Sequence, residues 1–367
     1  MTFKNLRLKL ILLTIIFFNF GYQVFSQDSY IDSIKTHYRI VGITYAVFNS
    51  SQIFELGALG RRRVNDSALV LTTDKFHIGS NTKAITAFIA AKLVENKKIN
   101  WNTRYFDLFP DLKADSRKEY WNITIQDLLS HRAKINAYRS VKANLNEYIF
   151  SGNSIDQKIK FASNLLKEPP AKPDPGQVYV YSNAGISLAA SMLEKVSGKS
   201  WEQLIDEFLN KQLKLDFELG FPNVQDFYQP WGHILNNDTI MALPPDFNYH
   251  IATVMRPAGD LNVNIINYIK FIQLFLKGYK GQNNFLHSQT YKYLLTALPD
   301  YTFGWANKTI NGKNYDYHSG SAATFGCFTK IDRDNDLAVI VMENYADGGA
   351  LNAIQLIADY LLKKYVK

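Results

Sequence analysis

Strand-forming segments sit at the two ends of this chain and helix-forming segments fill its middle, an order that most limits the folds open to it. Residues 41–48 and 52–58 read as two β-strands joined by the polar turn 49–51. Strand composition returns only at 301–306, 315–319, 325–331 and 337–343, with a polar turn at 332–336 between the last two. Between these ends, 80–96 has Ile85, Phe88, Ile89 and Leu93 recurring on one helical face. Further helices are expected at 124–131, 155–167, 182–197, 200–212 and 264–277, and an amphipathic one at 351–364. Strands that come from both termini must share a sheet to bury their apolar faces. The pattern therefore predicts an α+β fold: an antiparallel sheet flanked by helices, built from both chain ends, with an inserted α-rich subdomain. The α/β part would span about 27–115 and 285–367 and the helical part about 116–284. The active site belongs in the crevice between them.

Ahead of the first strand, Lys4, Arg7 and Lys9 precede an uncharged apolar run from Leu10 to Phe20, and Val24-Phe25-Ser26 ends in a small residue. This is the layout of a cleaved secretory signal peptide over residues 1–26; the run is short for a membrane span. The protein is thus expected to be exported, periplasmic or secreted, with no stable membrane insertion after cleavage. Its net charge then falls from +8 to +5. That excess is too diffuse for nucleic acid, since the densest basic run, Arg61-Arg62-Arg63, sits in a turn. Cys327 is the sole cysteine, so no intrachain disulfide can form. The seven histidines show no metal-ligand spacing, and no metal or cofactor is predicted.

Three short motifs carry chemistry. Ser80-Asn81-Thr82-Lys83 places a serine and a lysine one helical turn apart. A serine hydroxyl needs a base to take its proton, and a lysine kept partly neutral by burial can serve. The helix N-terminus adds a positive field for a developing oxyanion. Alone, the pair is weak, because about one SxxK arises by chance in a chain this long. Tyr181-Ser182-Asn183 follows Pro175-Gly176 and opens a helix; its plain reading is a helix cap. His318-Ser319-Gly320 lies on a strand where a glycine lets substrate approach the backbone; its plain reading is a strand end.

In this order and at these intervals, SxxK, YxN and HxG resemble the β-lactamase-related serine hydrolases. That group includes class C β-lactamases, D-alanyl-D-alanine carboxypeptidases, D-aminopeptidases and β-lactamase-like esterases. Phe76-His77-Ile78-Gly79, residues 124–131, Pro257-Ala258-Gly259 and Phe303-Gly304-Trp305 extend the match over most of 35–365. The resemblance implies a covalent acyl-enzyme on Ser80, with Lys83 and Tyr181 sharing the proton. It gives Ser80 and Ser321 backbone N–H groups as the oxyanion hole, with Ser319 and Gly320 beside it. Asn183 would donate to a substrate carbonyl, and His318 would steady the Tyr181 side and a substrate anion. A small-molecule or short-peptide substrate is implied; the oligomeric state is left open.

Two departures bear on substrate. After residues 128–131 the family continues with a Thr/Ser-Ser-Gly turn, where this chain has Arg132-Ala133-Lys134. Dedicated β-lactamases of this kind carry Lys-Thr-Gly in the third motif, whereas His318-Ser319-Gly320 is the peptidase- and esterase-like form. Hydrolysis of an amide or ester is therefore the leading reading. The alternatives are a β-lactamase and a catalytically retired binder or sensor of peptidoglycan fragments or β-lactams.

Overall fold

A computed structural model describes residues 28–138, 150–247, 250–347 and 349–366. The leader read at 1–26 lies outside them. In chain order the strands are β1 (Gly42–Phe48), β2 (Ile53–Gly60), β3 (Lys75–His77), β4 (Glu218–Leu219), β5 (His233–Asn236) and β6 (Thr239–Ala242). β7 (Leu261–Asn264), β8 (Ala306–Ile310), β9 (Lys313–Ser321), β10 (Gly326–Asp332) and β11 (Leu337–Glu343) follow. The principal sheet has six antiparallel strands in the order β2-β1-β11-β10-β9-β8. The two ends of the chain meet where β1 pairs with β11, from Ile43 opposite Glu343 to Phe48 opposite Ala338.

Every residue of β1 and β11 is buried, because helices cover both faces of the sheet. Ile43, Tyr45, Val47, Val339 and Val341 face a core under α1 (Ser29–His37) and α7 (Ala350–Tyr365). Ala46, Phe48, Ile340 and Met342 point the other way, into a larger core. That core is built by α2 (Thr82–Glu95), α3 (Ser154–Leu165), α4 (Asn183–Ser197), α5 (Ile265–Tyr279) and α6 (Ser288–Thr296). α2 runs through its centre, buried on all sides rather than one: Ala84, Ala87, Ala90 and Ala91 let neighbours close in opposite Ile85, Phe88 and Ile89. α5, read from sequence into the helical part, packs against β1 and β11.

Several boundaries differ from the sequence reading. The segment 301–306 is a turn, not a strand: Gly304 takes φ +84° against the backbone of Lys83 and Ala84, and the edge strand β8 begins only at Ala306. The helix expected at 200–212 is α-helical over Trp201–Ile205 and π-helical over Asp206–Gln212. A three-stranded sheet, β3-β7-β4, and the hairpin β5-β6 carried no alternating apolar signal. Among the described residues, no helix is long and apolar enough to cross a membrane.

Candidate active site

Ser80 sits in a tight turn, Gly79–Asn81, that feeds directly into α2. The turn is fastened to the sheet by Asn81, whose Nδ2 donates to Ile78 O (3.2 Å) and to Cys327 O on β10 (3.1 Å). Two glycines let β9 lie against it. Gly79 has φ +51°, which favours glycine, and a Cβ there would stand 2.5 Å from the backbone N of Ser321. A Cβ on Gly320 would collide with Ile78 O and stand 2.9 Å from the N of Ser80. The backbone N–H groups of Ser80 and Ser321 are thereby brought together, as an oxyanion site requires.

Lys83 is one turn on along α2 and wholly buried. Its Nζ is 2.9 Å from Ser80 Oγ and donates to Ala258 O at 2.7 Å. Among the described residues no carboxylate joins these contacts, and burial holds its amine well below the usual lysine range. The nitrogen also lies 4.8 Å from the centre of the Tyr181 ring. The three side chains of the first two motifs are thus assembled. Ala258, whose carbonyl accepts from Lys83, stood in the sequence only as part of Pro257-Ala258-Gly259.

Tyr181 precedes α4, which Ser182 caps by accepting the N–H of Gly185 (2.9 Å). The Tyr181 ring packs on His131 (4.5 Å between centroids), near Tyr301 (5.9 Å) and His318 (6.2 Å). His318 is 5% exposed, and its Nδ1–H points to Ser319 O (3.0 Å), which leaves Nε2 to accept from Tyr301 OH (3.2 Å). Burial first, then the nearby Lys83, pushes its pKa down to about 3. These surroundings hold a neutral imidazole, hydrogen-bonded to Tyr301, a residue the motif reading missed. Asn183 lines the same cleft and is fixed by a neighbouring loop. Its Nδ2 donates to Tyr138 O (2.9 Å), and its buried Oδ1 has no hydrogen-bond partner among the described residues.

The departure at residues 132–134 has a structural use. Arg132 donates to Ser130 O (3.1 Å), Tyr301 O (2.7 Å) and Pro299 O (2.7 Å), clamping the turn that presents Tyr301 to His318. Lys134 points outward to solvent. Ser80, Tyr181, Asn183, Ser319 and Ser321 open onto one cleft of about 510 Å³. Asp174 also lines it and is the only acidic or basic side chain among its described lining residues. Among the described residues, no cluster of three or more His, Cys, Asp or Glu side chains is placed to hold a metal.

This fold and this serine–lysine centre are those of the penicillin-recognising hydrolases, and the chain belongs to the beta-lactamase family, whose model matches residues 28–362. Among curated proteins it is similar to Protein flp of Staphylococcus aureus strain MW2, 24% identical over 315 residues. That match covers 83% of this chain and 60% of the relative, so the chain spans about three fifths of that protein's length. Penicillin-binding protein 4 of Amycolatopsis lactamdurans is 25% identical over 194 residues, covering 52% of this chain and 48% of that one. Among solved structures, the octameric penicillin-binding protein homologue from Pyrococcus abyssi superposes with a TM-score of 0.73 at 21% identity, over 91% of this chain and 76% of its own. SurE follows with a TM-score of 0.72 at 19% identity, over 90% and 73%. At these identities the two structures speak for the fold. Members of the family generally act as serine acyl-transferases or hydrolases.

Proposed function

We propose that this chain is an exported serine hydrolase that cleaves an amide or ester through a covalent acyl-enzyme on Ser80. The observation that carries the reading is the buried Lys83 Nζ, 2.9 Å from Ser80 Oγ, with no carboxylate among the described residues to hold its charge. A neutral amine that gives one N–H to Ala258 O keeps its lone pair for the serine proton. Ser80 Oγ then bonds to the substrate carbonyl carbon, and the oxyanion accepts from the N–H groups of Ser80 and Ser321. The C–N or C–O bond breaks, and the leaving group takes a proton from the Lys83–Tyr181 pair. In the second half water attacks the ester carbonyl and gives a proton to that pair, which passes it to Ser80 Oγ as the bond from Oγ to the acyl carbon breaks and the acid leaves.

The neutral His318, and Asp174 as the charged side chain among the described residues that line the cleft, support a neutral or ammonium-bearing substrate over an anionic one. This supports a peptidase- or esterase-like role over a β-lactamase, whose substrates carry a carboxylate. A fluorophosphonate probe followed by peptide mass mapping tests the nucleophile. The expected result is one adduct on Ser80, absent in Ser80→Ala, with p-nitrophenyl esters or D-amino-acid amides turned over faster than nitrocefin. An unlabelled wild type would replace this reading with the retired binder. Nitrocefin as the best substrate would replace it with the β-lactamase. Export rests on the charge and apolar pattern of residues 1–26, and a secreted product beginning near residue 27 is the expected mature form.

A further inference from the structure

The short segment Arg256–Gly259 and the Asp260 that follows it touch the nucleophile's surroundings in two places. Ala258 O holds Lys83, as described, and Asp260 approaches His77, the last residue of β3. His77 is fully buried and stacked on Phe221 (4.8 Å between centroids, 23° between planes). Its Nδ1 accepts the N–H of Gly79 at 3.1 Å, so the ring proton resides on Nε2, which faces Asp260 Oδ1 at 3.4 Å. The other carboxylate oxygen of Asp260 lies 3.4 Å from Arg256 Nε. The three-stranded sheet sets these distances: His77 pairs with Asn262, and Ile78 N donates to Leu261 O at 2.9 Å.

We propose that His77 and Asp260 are a positioning pair for the Gly79-Ser80 turn. Asp260 selects the imidazole tautomer that leaves Nδ1 free to accept, and Nδ1 then fixes the N–H of Gly79. That contact closes a ring two residues ahead, as an Asn side chain does in an Asx-turn. It holds Gly79 at φ +51°, the conformation that aims Ser80 at Lys83 and places the Ser80 N–H beside that of Ser321. One segment therefore registers the base, through Ala258, and the nucleophile, through Asp260. Neither His77 nor Asp260 lines the cleft among its described residues, so the pair acts only through the turn.

The inference rests on the acyl-enzyme reading, and its test separates the two. Wild type, His77→Asn, His77→Gln and Asp260→Ala are compared for fluorophosphonate labelling rate, for kcat and KM on a p-nitrophenyl ester, for melting temperature, and for hydrogen exchange of residues 78–80. Asn puts an acceptor where Nδ1 stood; Gln puts its amide where Nε2 stood and leaves the Gly79 N–H unpaired. Both shrink the side chain similarly, so both should melt earlier by similar amounts. His77→Gln and Asp260→Ala are expected to label and turn over about 10- to 100-fold more slowly, with KM within about twofold and lost protection at 78–80. His77→Asn is expected to stay within about threefold of wild type in rate and to keep the protection. Equal losses in Asn and Gln, tracking melting temperature, or full rates in Gln, overturn the positioning role and leave His77 as packing. A wild type that takes no probe overturns the acyl-enzyme reading instead. The exchange data then decide the pair alone: wild-type protection in His77→Gln sinks it, and its selective loss there sustains it.

Discussion

Two nitrogen bases lie beneath the cleft, and burial acts on both in the same direction. It holds the Lys83 amine well below the usual lysine range and lowers the pKa of the His318 imidazole to about 3. Lys83→Ala and Tyr181→Phe are each expected to lower kcat by about 10²–10⁴-fold. In the proposed mechanism the two side chains share one proton path, so the double variant should fall far short of the product of the single losses. Multiplicative losses in a four-enzyme cycle would show separate paths. For His318 the sign follows from its pKa of about 3 in the fold against about 6.5 in an unfolded chain. The folded protein carries no imidazolium there at pH 6 or at pH 8. The ratio of KM for a carboxylate-bearing substrate to KM for a neutral one should therefore stay constant across that interval. A ratio that climbs several-fold with pH would restore the anion-binding histidine.

At the scale of elements, the site depends on how closely β9 lies against the turn before α2. Gly320→Ala tests this, since its methyl would meet Ile78 O and stand 2.7 Å from Asn81 Nδ2 and 2.9 Å from Ser80 N. Overpacking of this kind costs about 1–3 kcal/mol. Under the proposed mechanism, a displacement of about 1 Å at the N–H groups of Ser80 and Ser321 should lower kcat by about 100-fold with little change in KM. Stability from urea titration and kcat on one ester check both numbers; wild-type kcat in the variant would mean the strand is not held there. The same elements show what a sequence can and cannot disclose. That Ser80 and Lys83 lie together was legible from their one-turn spacing, and that Tyr181 and His318 lie near them from the family resemblance. Tyr301 was not: its hydroxyl meets His318 only because Gly304 turns the chain back and Arg132 clamps the turn. His77 and Asp260 are 183 residues apart, joined by strands of three and four residues that are too short to show a period.

Over the whole molecule, the pairing of the two chain ends was legible from the strand-rich termini, but the depth of burial was not. With helices on both faces, β1 and β11 read as continuous apolar runs, and a polar residue inside one passes for a strand end. Glu343 is that residue. It closes β11, paired with Ile43 on one side and Gly326 on the other, fully buried near Leu351 of α7. Gly326 makes room for it, since a Cβ there would collide with Oε1. Neither carboxyl oxygen has a hydrogen-bond partner among the described residues, and burial raises its pKa well above the usual range. The folded state therefore holds a neutral acid, whereas an unfolded chain ionises it above about pH 4.3. A raised folded pKa means that its contribution is fully present below that pH and is lost as pH rises, by up to about 1.4 kcal/mol per unit. Glu343→Gln cannot ionise in either state. The difference in unfolding free energy, variant minus wild type, should therefore grow steadily more positive from pH 4 to pH 8, whatever fixed offset the amide introduces. Other titrating groups act alike in both proteins and cancel from the difference. Urea unfolding of the pair at five pH values measures it, and a difference that stays flat would mean Glu343 is ionised and paired inside the sheet.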